Sequence, residues 1–412
     1  MFLESTISDI ENYPFLNPFR FENDPSKKYW HISTLESLLE ENWNSIEEGV
    51  TENREYLAAR EKIFSSSVFQ YFTDQKNRII QESLETDNSF QILGAYTCLL
   101  DSIVQTAFDY SFIDIPLIKE RLVEELNHEL NYKQKNLPEK KEKLKLLKEQ
   151  ILEMEKNLES GSSSSREYRY FQEVESQHES ETRVLEERIE ELQQLIPQIQ
   201  DFTNDKNFVL NHLVIFARGG YGRAELGLSS DRDLGYCLDT NRLNNGEAEM
   251  LRQLIVHIEN LLRNSGVETA HQYFEIDEDL SRFDEVNTLH TIPSILESRV
   301  LLGSESLATN LKNRFFQVIT FEPYVLNLVR SFSESKEPEL NRMDLKMDYG
   351  GLRSLQIPLW ITAATFGIFP SQTADLLAFL IQKHLLSHRQ ALKLCQALEF
   401  LHDLRNFSAV AK

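Results

Sequence analysis

The sequence has 412 residues, of which 41% are apolar and 10% aromatic, so a disordered chain is excluded. This length predicts two or three domains rather than one core. The 66 acidic and 43 basic residues give a formal charge of -23, which would repel a polyphosphate backbone and argues against binding of nucleic acid. A small cationic pocket for one nucleotide remains compatible with that charge.

The cysteines and the hydropathy pattern favour a cytoplasmic protein. Cys98, Cys237 and Cys395 lie far apart and form no Cys/His cluster, so neither a zinc site nor a disulfide framework is predicted. The amino terminus lacks the basic segment and the apolar run of a signal peptide. The longest apolar stretch, PLWITAATFGIF, is shorter than the roughly 20 residues of a membrane helix. We therefore expect no membrane partner.

Residues 1–116 are predicted to form an N-terminal helical region. Residues 1–29 are rich in Pro, Asn and Phe, which indicates an irregular segment on the surface. From Ser33 onwards apolar residues recur at spacings of three and four, as in amphipathic helices. The segment ILGAYTCLLDSIVQTAFDY has the pattern of a buried helix.

Residues 117–203 are predicted to form a long antiparallel coiled-coil hairpin. The first arm has a seam of apolar residues seven apart, Leu137, Leu144, Ile151 and Leu158. A second seam follows the SGSSSS segment at 160–165. Two arms of similar length around a Gly/Ser turn favour a hairpin, since folding back lets each apolar stripe cover the other. A parallel coiled-coil dimer is the alternative. In both cases we expect a protein partner to dock on this arm, with a merely solvated surface as the alternative for its charged faces.

Residues 204–310 are predicted to form a small mixed sheet. The segments VLNHLVIFA, DLGYCLD and VETAHQYFEI have strand patterns, and GEAEMLRQLIVHIENLLRNSG is an amphipathic helix between the second and the third. After residue 285 the pattern is helical to the end, with a C-terminal helical domain over 311–412. The predicted fold class is α+β, a mostly helical chain with a small mixed sheet and a long hairpin.

Asp231 and Asp233 are the strongest candidates for metal ligands. On a strand, residues two apart project from the same face, so both carboxylates can bind one ion. Mg²⁺ prefers a few carboxylates together with phosphate oxygens of a substrate. By the same alternation, Leu234, Tyr236 and Leu238 face the core. The segment SSDRD is also typical of a plain turn, which is the alternative.

Glycines just before this pair predict a phosphate-binding loop. Gly219, Gly220 and Gly222 follow a predicted strand and allow backbone N–H groups to face an anion. Arg223 has the planar fork that suits phosphate. A plain turn is again the alternative. Glu225, two residues later, is predicted to orient Arg223 through an ion pair.

A third carboxylate would complete a two-metal site. Glu268, on the third predicted strand, is the candidate, because a crossover helix returns the chain beside the second strand. The alternative is a surface glutamate at a strand end.

The stretch GGYGRAELGLSSDRDLGY resembles the signature of the DNA polymerase β-like nucleotidyltransferases, in the branch of the bacterial PII protein uridylyltransferases. The resemblance implies a polymerase β-like catalytic domain in which Gly219, Gly220 and Arg223 hold a triphosphate. It also implies that Asp231 and Asp233 hold magnesium, or manganese in its place. We add Gly222 and Ser230 as candidates for nucleotide binding, which completes the predicted loop.

A second match lies downstream, in MDLKMDYGGLRSLQIPLWITAATFG. It resembles the Lys-x-x-x-Gly-Gly-Leu-Arg-Asp-x-Gln segment of those uridylyltransferases and adds Lys346 and Arg353 as candidates for nucleotide binding. Between the two matches, SILESRVLLGSESL resembles the helix that closes the family's catalytic domain. Two departures stand out, because Ser354 replaces the aspartate of the second motif and Phe274 replaces an arginine of the third strand.

The family's third strand also carries a histidine, here His271, for which we expect a structural or orienting role. Full uridylyltransferases continue into a phosphohydrolase domain and ligand-sensing domains, which we expect this chain to lack. His402-Asp403 is interpreted as unrelated to that hydrolase.

The predicted function is Mg-dependent transfer of a nucleoside monophosphate from UTP or ATP to a hydroxyl acceptor, on a protein, with release of pyrophosphate. The alternative is a catalytically weak nucleotide-binding regulator or scaffold that acts through its coiled-coil arm. Ser354 and Phe274 motivate that alternative.

Overall fold

The structure is a computed structural model that describes residues 35, 37–39, 53–85, 89–159, 165–276, 291–318, 321–333 and 344–410. The chain separates into two compact units. The first contains 1–113, 205–242 and 255–412, and the second contains 114–204 and 243–254. The irregular segment predicted for 1–29 lies outside the described residues, and the predicted four-part domain division stays a prediction.

The helices described by the structure are α1 (Asn53–Glu85), α2 (Ser89–Ile113), α3 (Ile115–Glu159), α4 (Ser165–Gln200), α5 (Lys206–His212), α6 (Gly219–Gly222), α7 (Asn245–Asn264), α8 (Thr291–Leu296), α9 (Glu305–Val318), α10 (Phe321–Ser333), α11 (Leu352–Phe366), α12 (Thr373–Gln382) and α13 (His388–Val410). The strands are β1 (Leu213–Ala217), β2 (Arg232–Leu238), β3 (Thr269–Glu275) and β4 (Arg299–Gly303). A mostly helical chain with one small sheet confirms the predicted α+β class.

The sheet has the strand order β3-β2-β1-β4. β1 pairs antiparallel with both β2 and β4, whereas β2 and β3 are parallel. Parallel neighbours need a crossover connection, and α7 supplies it between β2 and β3. Leu234, Tyr236 and Leu238 are fully buried, as the alternation along β2 predicts.

The structure corrects two assignments made from the sequence, one of a strand and one of a helical region. The segment VLNHLVIFA is a strand only from Leu213, because Asp205 caps a preceding helix by accepting a hydrogen bond from the Asn207 N–H. The region after 285 is not helical throughout, since Arg299–Gly303 forms β4 on the free edge of β1. Gly303 ends that strand with φ +92, directly against the Leu213 carbonyl, where any Cβ would clash.

Phe274, which stands where the related family carries an arginine, is a core residue. It is fully buried and packs against the rings of Phe216, at 6.2 Å between centroids, and Phe315, at 5.5 Å. The departure therefore replaces a charge with apolar packing beneath the sheet.

Gly235 makes room for one of these rings. It pairs directly with Phe216 across β1 and β2, and a Cβ at Gly235 would overlap the Phe216 ring. Gly235→Ala is therefore expected to lower the free energy of unfolding by about 1 to 3 kcal/mol, the usual cost of overpacking a core. Urea denaturation measures this. Gly220→Ala is the matched control, because its Cβ would meet its nearest atom at 3.5 Å. An unchanged midpoint for Gly235→Ala would contradict this account of the core.

The second unit contains an antiparallel pair of helices, α3 and α4. Cross-helix contacts run in opposite directions along the two sequences: Lys119 with Gln200, Glu129 with Arg188, Lys140 with Glu181, Lys148 with Glu179, and Glu155 with Tyr168. Ile151, Leu192 and Ile199 are buried in the seam. The two arms therefore cover each other within one chain, while supercoiling of the coiled-coil kind stays a prediction.

No helix among the described residues is long and apolar enough to cross a membrane.

Candidate active site

A cavity of about 330 Å³ opens where β1 ends and β2 begins. Most of the residues predicted for the site line it: Gly219, Gly220, Arg223, Ser230, Asp231, Asp233, Lys346 and Arg353. Gly222 and Glu268 are not among the lining residues. The cavity thus brings together two sequence motifs more than 100 residues apart.

The glycine turn lies directly against the Asp-x-Asp strand. Residues 219–222 form the single helical turn α6, and the Arg218 N–H donates to the Asp233 carbonyl at 2.9 Å. Gly219 has φ +55, and a Cβ on it would lie 3.3 Å from Asp233 Oδ2. A side chain at 219 would therefore fill the space in front of the Asp233 carboxylate, as well as straining the backbone.

Gly222 has a packing role instead of a lining role. A Cβ there would meet the Ala217 carbonyl oxygen at 2.8 Å and the Glu297 carbonyl oxygen at 2.9 Å. This close approach of two carbonyl groups explains why position 222 is a glycine. The sequence pattern could not distinguish such packing from contact with a ligand.

Asp231 and Asp233 differ in environment. The Asp231 side chain is 76% exposed, with Lys346 Nζ at 4.0 Å from its Oδ2. The Asp233 side chain is 35% exposed, with Arg218 Nη2 at 4.0 Å from its Oδ1. Burial raises the pKa of Asp233, and the charge of Asp231 adds to that rise, while Arg218 and Lys346 oppose it. A bound cation between the two carboxylates would relieve this repulsion.

Glu268 is not brought to the cavity. The parallel register pairs Arg232 with Thr269, so Glu268 lies one residue before β3, where it is exposed. From β3 it is Gln272 that lines the cavity, and its Oε1 accepts a hydrogen bond from Arg218 Nη1 at 2.7 Å. Over the residues that the structure describes, no group of three or more His, Cys, Asp or Glu side chains is placed to hold a metal ion.

Arg223 lies within a buried ion network. Its Nε donates to Glu225 and its Nη1 to Glu297, each at 2.8 Å. Trp360 Nε1 donates to the other oxygen of Glu297 at 2.8 Å, and the Thr373 hydroxyl donates to Glu225. Burial opposes the charge of Arg223, but the two carboxylates outweigh it and raise its pKa. The ion pair predicted between Glu225 and Arg223 is therefore present, while Glu297 was not foreseen.

The C-terminal helices close the other side of the cavity. Lys346 precedes α11, Arg353 lies on α11, and both His402 and Arg405 lie on α13. Arg353 donates to Gln356 at 3.0 Å, and its guanidinium lies 4.8 Å from the centroid of the Trp360 ring. Burial lowers the pKa of Arg353 to about 10, with Arg223 as the next cause.

Ser354, the second departure from the family motif, accepts a hydrogen bond from the Gly350 N–H at 2.9 Å. The serine thus holds the turn that leads into α11.

Sequence reasoning missed Arg218, Gln272, His402 and Arg405 as lining residues. Only Arg218, which adjoins the glycine motif, had a local signal.

His402 is 3% exposed in the cavity wall. The pKa of His402 is lowered from 6.5 to about 4. Burial is the main cause, Arg223 and Arg405 contribute to the shift, and Glu225 opposes it. A depressed histidine pKa means that the unfolded chain takes up this proton first. Stability is therefore intact above pH 6.5 and is lost as the pH falls from 6.5 towards 4.

His402→Asn should remove that acid sensitivity. Between pH 7 and pH 4.5 the wild-type free energy of unfolding should fall by about 2 to 3 kcal/mol more than that of the variant, from about 1.4 kcal/mol per pKa unit. Urea denaturation at the two pH values measures the difference. His388→Asn, at an exposed position on the same helix, is the control. Equal pH dependence in wild type and His402→Asn would contradict the assignment.

Comparison with known proteins finds nucleotidyltransferases. The family model described as GlnD PII-uridylyltransferase matches residues 330–407, the segment that contains Lys346, Arg353 and Arg405. The bifunctional uridylyltransferase/uridylyl-removing enzyme of Zymomonas mobilis is 30% identical over 165 residues, which is 38% of this chain and 17% of the relative. That of Ectopseudomonas mendocina is 30% identical over 206 residues, 47% of this chain and 21% of the relative.

The enzyme of the same name from Rhodospirillum rubrum is 25% identical over 233 residues, 52% of this chain and 23% of the relative. The matches thus span about a fifth of the length of these relatives. The chain is thus similar to uridylyltransferases, which are a class of nucleotidyltransferase. More narrowly, the chain is PII-uridylyltransferase-like over the part that these matches cover, which confirms the resemblance of its motifs.

Proposed function

We propose that the chain is a Mg-dependent nucleotidyltransferase that moves a nucleoside monophosphate from UTP or ATP to a hydroxyl acceptor on a protein. The observation that carries the proposal is one cavity lined by the glycine turn, by Asp231 and Asp233, and by Lys346 and Arg353. Carboxylates for a metal and cations for phosphates are thereby combined within reach of one small ligand. We propose the cytoplasm as the place of action.

The two aspartates fit a magnesium ion, with manganese as the alternative. They offer hard oxygen donors, and the cavity leaves room for phosphate oxygens to complete the coordination. Burial of Asp233 and the charge of Asp231 raise the pKa of Asp233, and a cation bound between the two carboxylates would offset both effects. When bound, the ion would neutralise charge on the phosphate oxygens during transfer.

The residues of the chain bind and orient the substrate. The N–H groups of Gly219 and Gly220 open a helical turn, where no intrahelical acceptor reaches them, and they line the cavity. Lys346 and Arg353 supply positive charge from the opposite wall. The acceptor hydroxyl attacks the α-phosphorus, the bond to the bridging oxygen of the β-phosphate breaks, pyrophosphate leaves, and the hydroxyl proton passes to water.

A protein acceptor is supported by the description of the matching family model, GlnD PII-uridylyltransferase, which names a PII protein as the group that is uridylylated. The experiment is to incubate the purified chain with Mg²⁺, a PII protein or a lysate, and each common NTP labelled at the α-phosphate. Transfer is expected as label that stays on a protein band after denaturation. The Asp231→Asn/Asp233→Asn double variant is the control and should leave no label. Absence of transfer from every NTP would contradict the proposal.

A nucleotide-binding regulator that acts through the α3–α4 hairpin is the second candidate. It is favoured by Gln272, which is the β3 residue at the cavity in place of a carboxylate. Tight Mg²⁺-dependent NTP binding without transfer or pyrophosphate release would support this candidate and exclude the enzyme.

A further inference from the structure

The cations of the cavity fall into two groups according to their partners. Arg223 is neutralised by Glu225 and Glu297. Arg218 donates to the Leu234 carbonyl at 3.0 Å and to Gln272. Both arginines therefore use their guanidinium N–H groups within the protein itself, and Arg223 is in addition neutralised by two carboxylates before any ligand binds.

The C-terminal wall is different, because none of its three cations, among the described residues, is hydrogen-bonded to a carboxylate. Lys346 Nζ approaches Asp231 only to 4.0 Å. Arg353 donates to the neutral side chain of Gln356, and its Nε is buried without a hydrogen-bond partner in the described part of the chain. Among those same residues, no hydrogen bond or ion pair involves the Arg405 guanidinium, although Arg405 lines the cavity.

These three charges also repel one another. Burial lowers the pKa of Lys346, and Arg353 and Arg405 lower it further. Burial likewise lowers the pKa of Arg405, with Asp231 and Asp344 opposing the shift. Like charges held together in a partly buried wall cost free energy, which an anion bound between them would recover.

Arg405 is held on a fixed element. Its neighbour Asn406 is 5% exposed and accepts a hydrogen bond from the Leu228 N–H at 3.1 Å. Leu228 belongs to the segment that leads to Ser230 and Asp231. Helix α13 is therefore tied to the loop that carries the first aspartate, and the Arg405 charge is positioned before a ligand arrives.

We propose that Arg405 binds the terminal phosphates of the nucleoside triphosphate, together with Lys346 and Arg353, and holds pyrophosphate as it leaves. The inference rests on the proposed function, since it assumes a triphosphate in this cavity. The β- and γ-phosphates carry most of the negative charge of an NTP, whereas the α-phosphate carries one charge. Three cations that are not hydrogen-bonded to a carboxylate therefore match the terminal phosphates best.

Binding, measured by titration calorimetry with Mg²⁺, tests this without any need for turnover. UTP, ATP, UMP, AMP and inorganic pyrophosphate are titrated into wild type, Arg405→Gln, Arg405→Lys and Arg389→Gln. Arg405→Gln should weaken the affinity for pyrophosphate, and for whichever NTP the wild type binds, by roughly tenfold or more, because one charge-assisted hydrogen-bonding group is lost. Its effect on the monophosphate should stay within about twofold, because UMP and AMP lack the terminal phosphates. Arg389, exposed on the same helix, is the matched control and should change nothing.

Arg405→Lys keeps the charge but loses the fork, so an intermediate loss is expected. If Arg405→Gln does not fold, the affinities of Arg405→Lys are compared with those of wild type instead. Wild-type pyrophosphate affinity in both variants would overturn the inference alone, as would an equal loss for UMP and UTP. Failure of wild type to bind any NTP or pyrophosphate would overturn the proposed function with it.

Discussion

Asp233→Asn is expected to reduce nucleotidyl transfer by roughly 10²- to 10³-fold, because a catalytic metal ion contributes several kcal/mol of transition-state stabilisation. The same variant should be as stable as wild type or more stable. Burial raises the pKa of Asp233, so its ionised form costs free energy in the folded state at neutral pH. Asparagine has the same shape and removes that cost. Activity and stability should therefore move in opposite directions.

Pyrophosphate release and the metal-free melting temperature measure the two effects on one preparation. Asp239→Asn is the matched control, because Asp239 follows the far end of β2 and pairs with Arg242 at 3.4 Å. It should leave transfer unchanged. Retention of activity by Asp233→Asn would contradict the assignment of Asp233 as a metal ligand, and joint loss of activity and stability would point to a structural role instead.

Arg223→Met is expected to have the largest effect on stability, a loss of about 3 to 5 kcal/mol, because removing one partner leaves buried charges uncompensated. Glu225 and Glu297 are 9% and 6% exposed, and the charge of both carboxylates is compensated by Arg223. Without Arg223, burial would raise the pKa of both carboxyls. The variant should therefore recover stability as the pH falls through those raised values, since protonation removes the uncompensated charges.

Urea denaturation between pH 7 and pH 5 measures both the loss and its recovery. Arg242→Met is the matched control, because Arg242 is 76% exposed and its ion pair with Asp239 should contribute no more than about 1 kcal/mol. Adding Glu297→Gln to Arg223→Met should restore part of the lost stability. A loss below that of the control would show that the buried network does not stabilise this fold.

The local features of the site could be predicted from sequence because they depend on short-range periodicity. Leu234, Tyr236 and Leu238 are buried as predicted, although Gly235 and Cys237 between them are buried too, and the glycines mark a turn against that strand. The fold class could be predicted for the same reason. β4 could not, because RVLLG is too short to show a strand period and is defined only by pairing with β1, about 85 residues earlier in the chain.

The missing parts of the site depend on register and on tertiary packing. Glu268 lies just before the expected strand, and the spacing alone cannot tell whether position 268 or position 272 reaches the cavity. His402 and Arg405 come from a helix near the end of the chain, and no local motif marks them. The packing of α13 against the segment before Asp231 brings them to the cavity.

The position of the transferred phosphorus distinguishes nucleotidyl transfer from transfer of the γ-phosphate and from binding alone. The purified chain, Mg²⁺ and its acceptor are incubated with an NTP labelled either at the α-phosphate or at the γ-phosphate. Nucleotidyl transfer predicts that the α-label becomes covalently attached to the acceptor while the γ-label is released as pyrophosphate, in equal amounts. Attachment of the γ-label, or binding of NTP with neither label transferred, would contradict it.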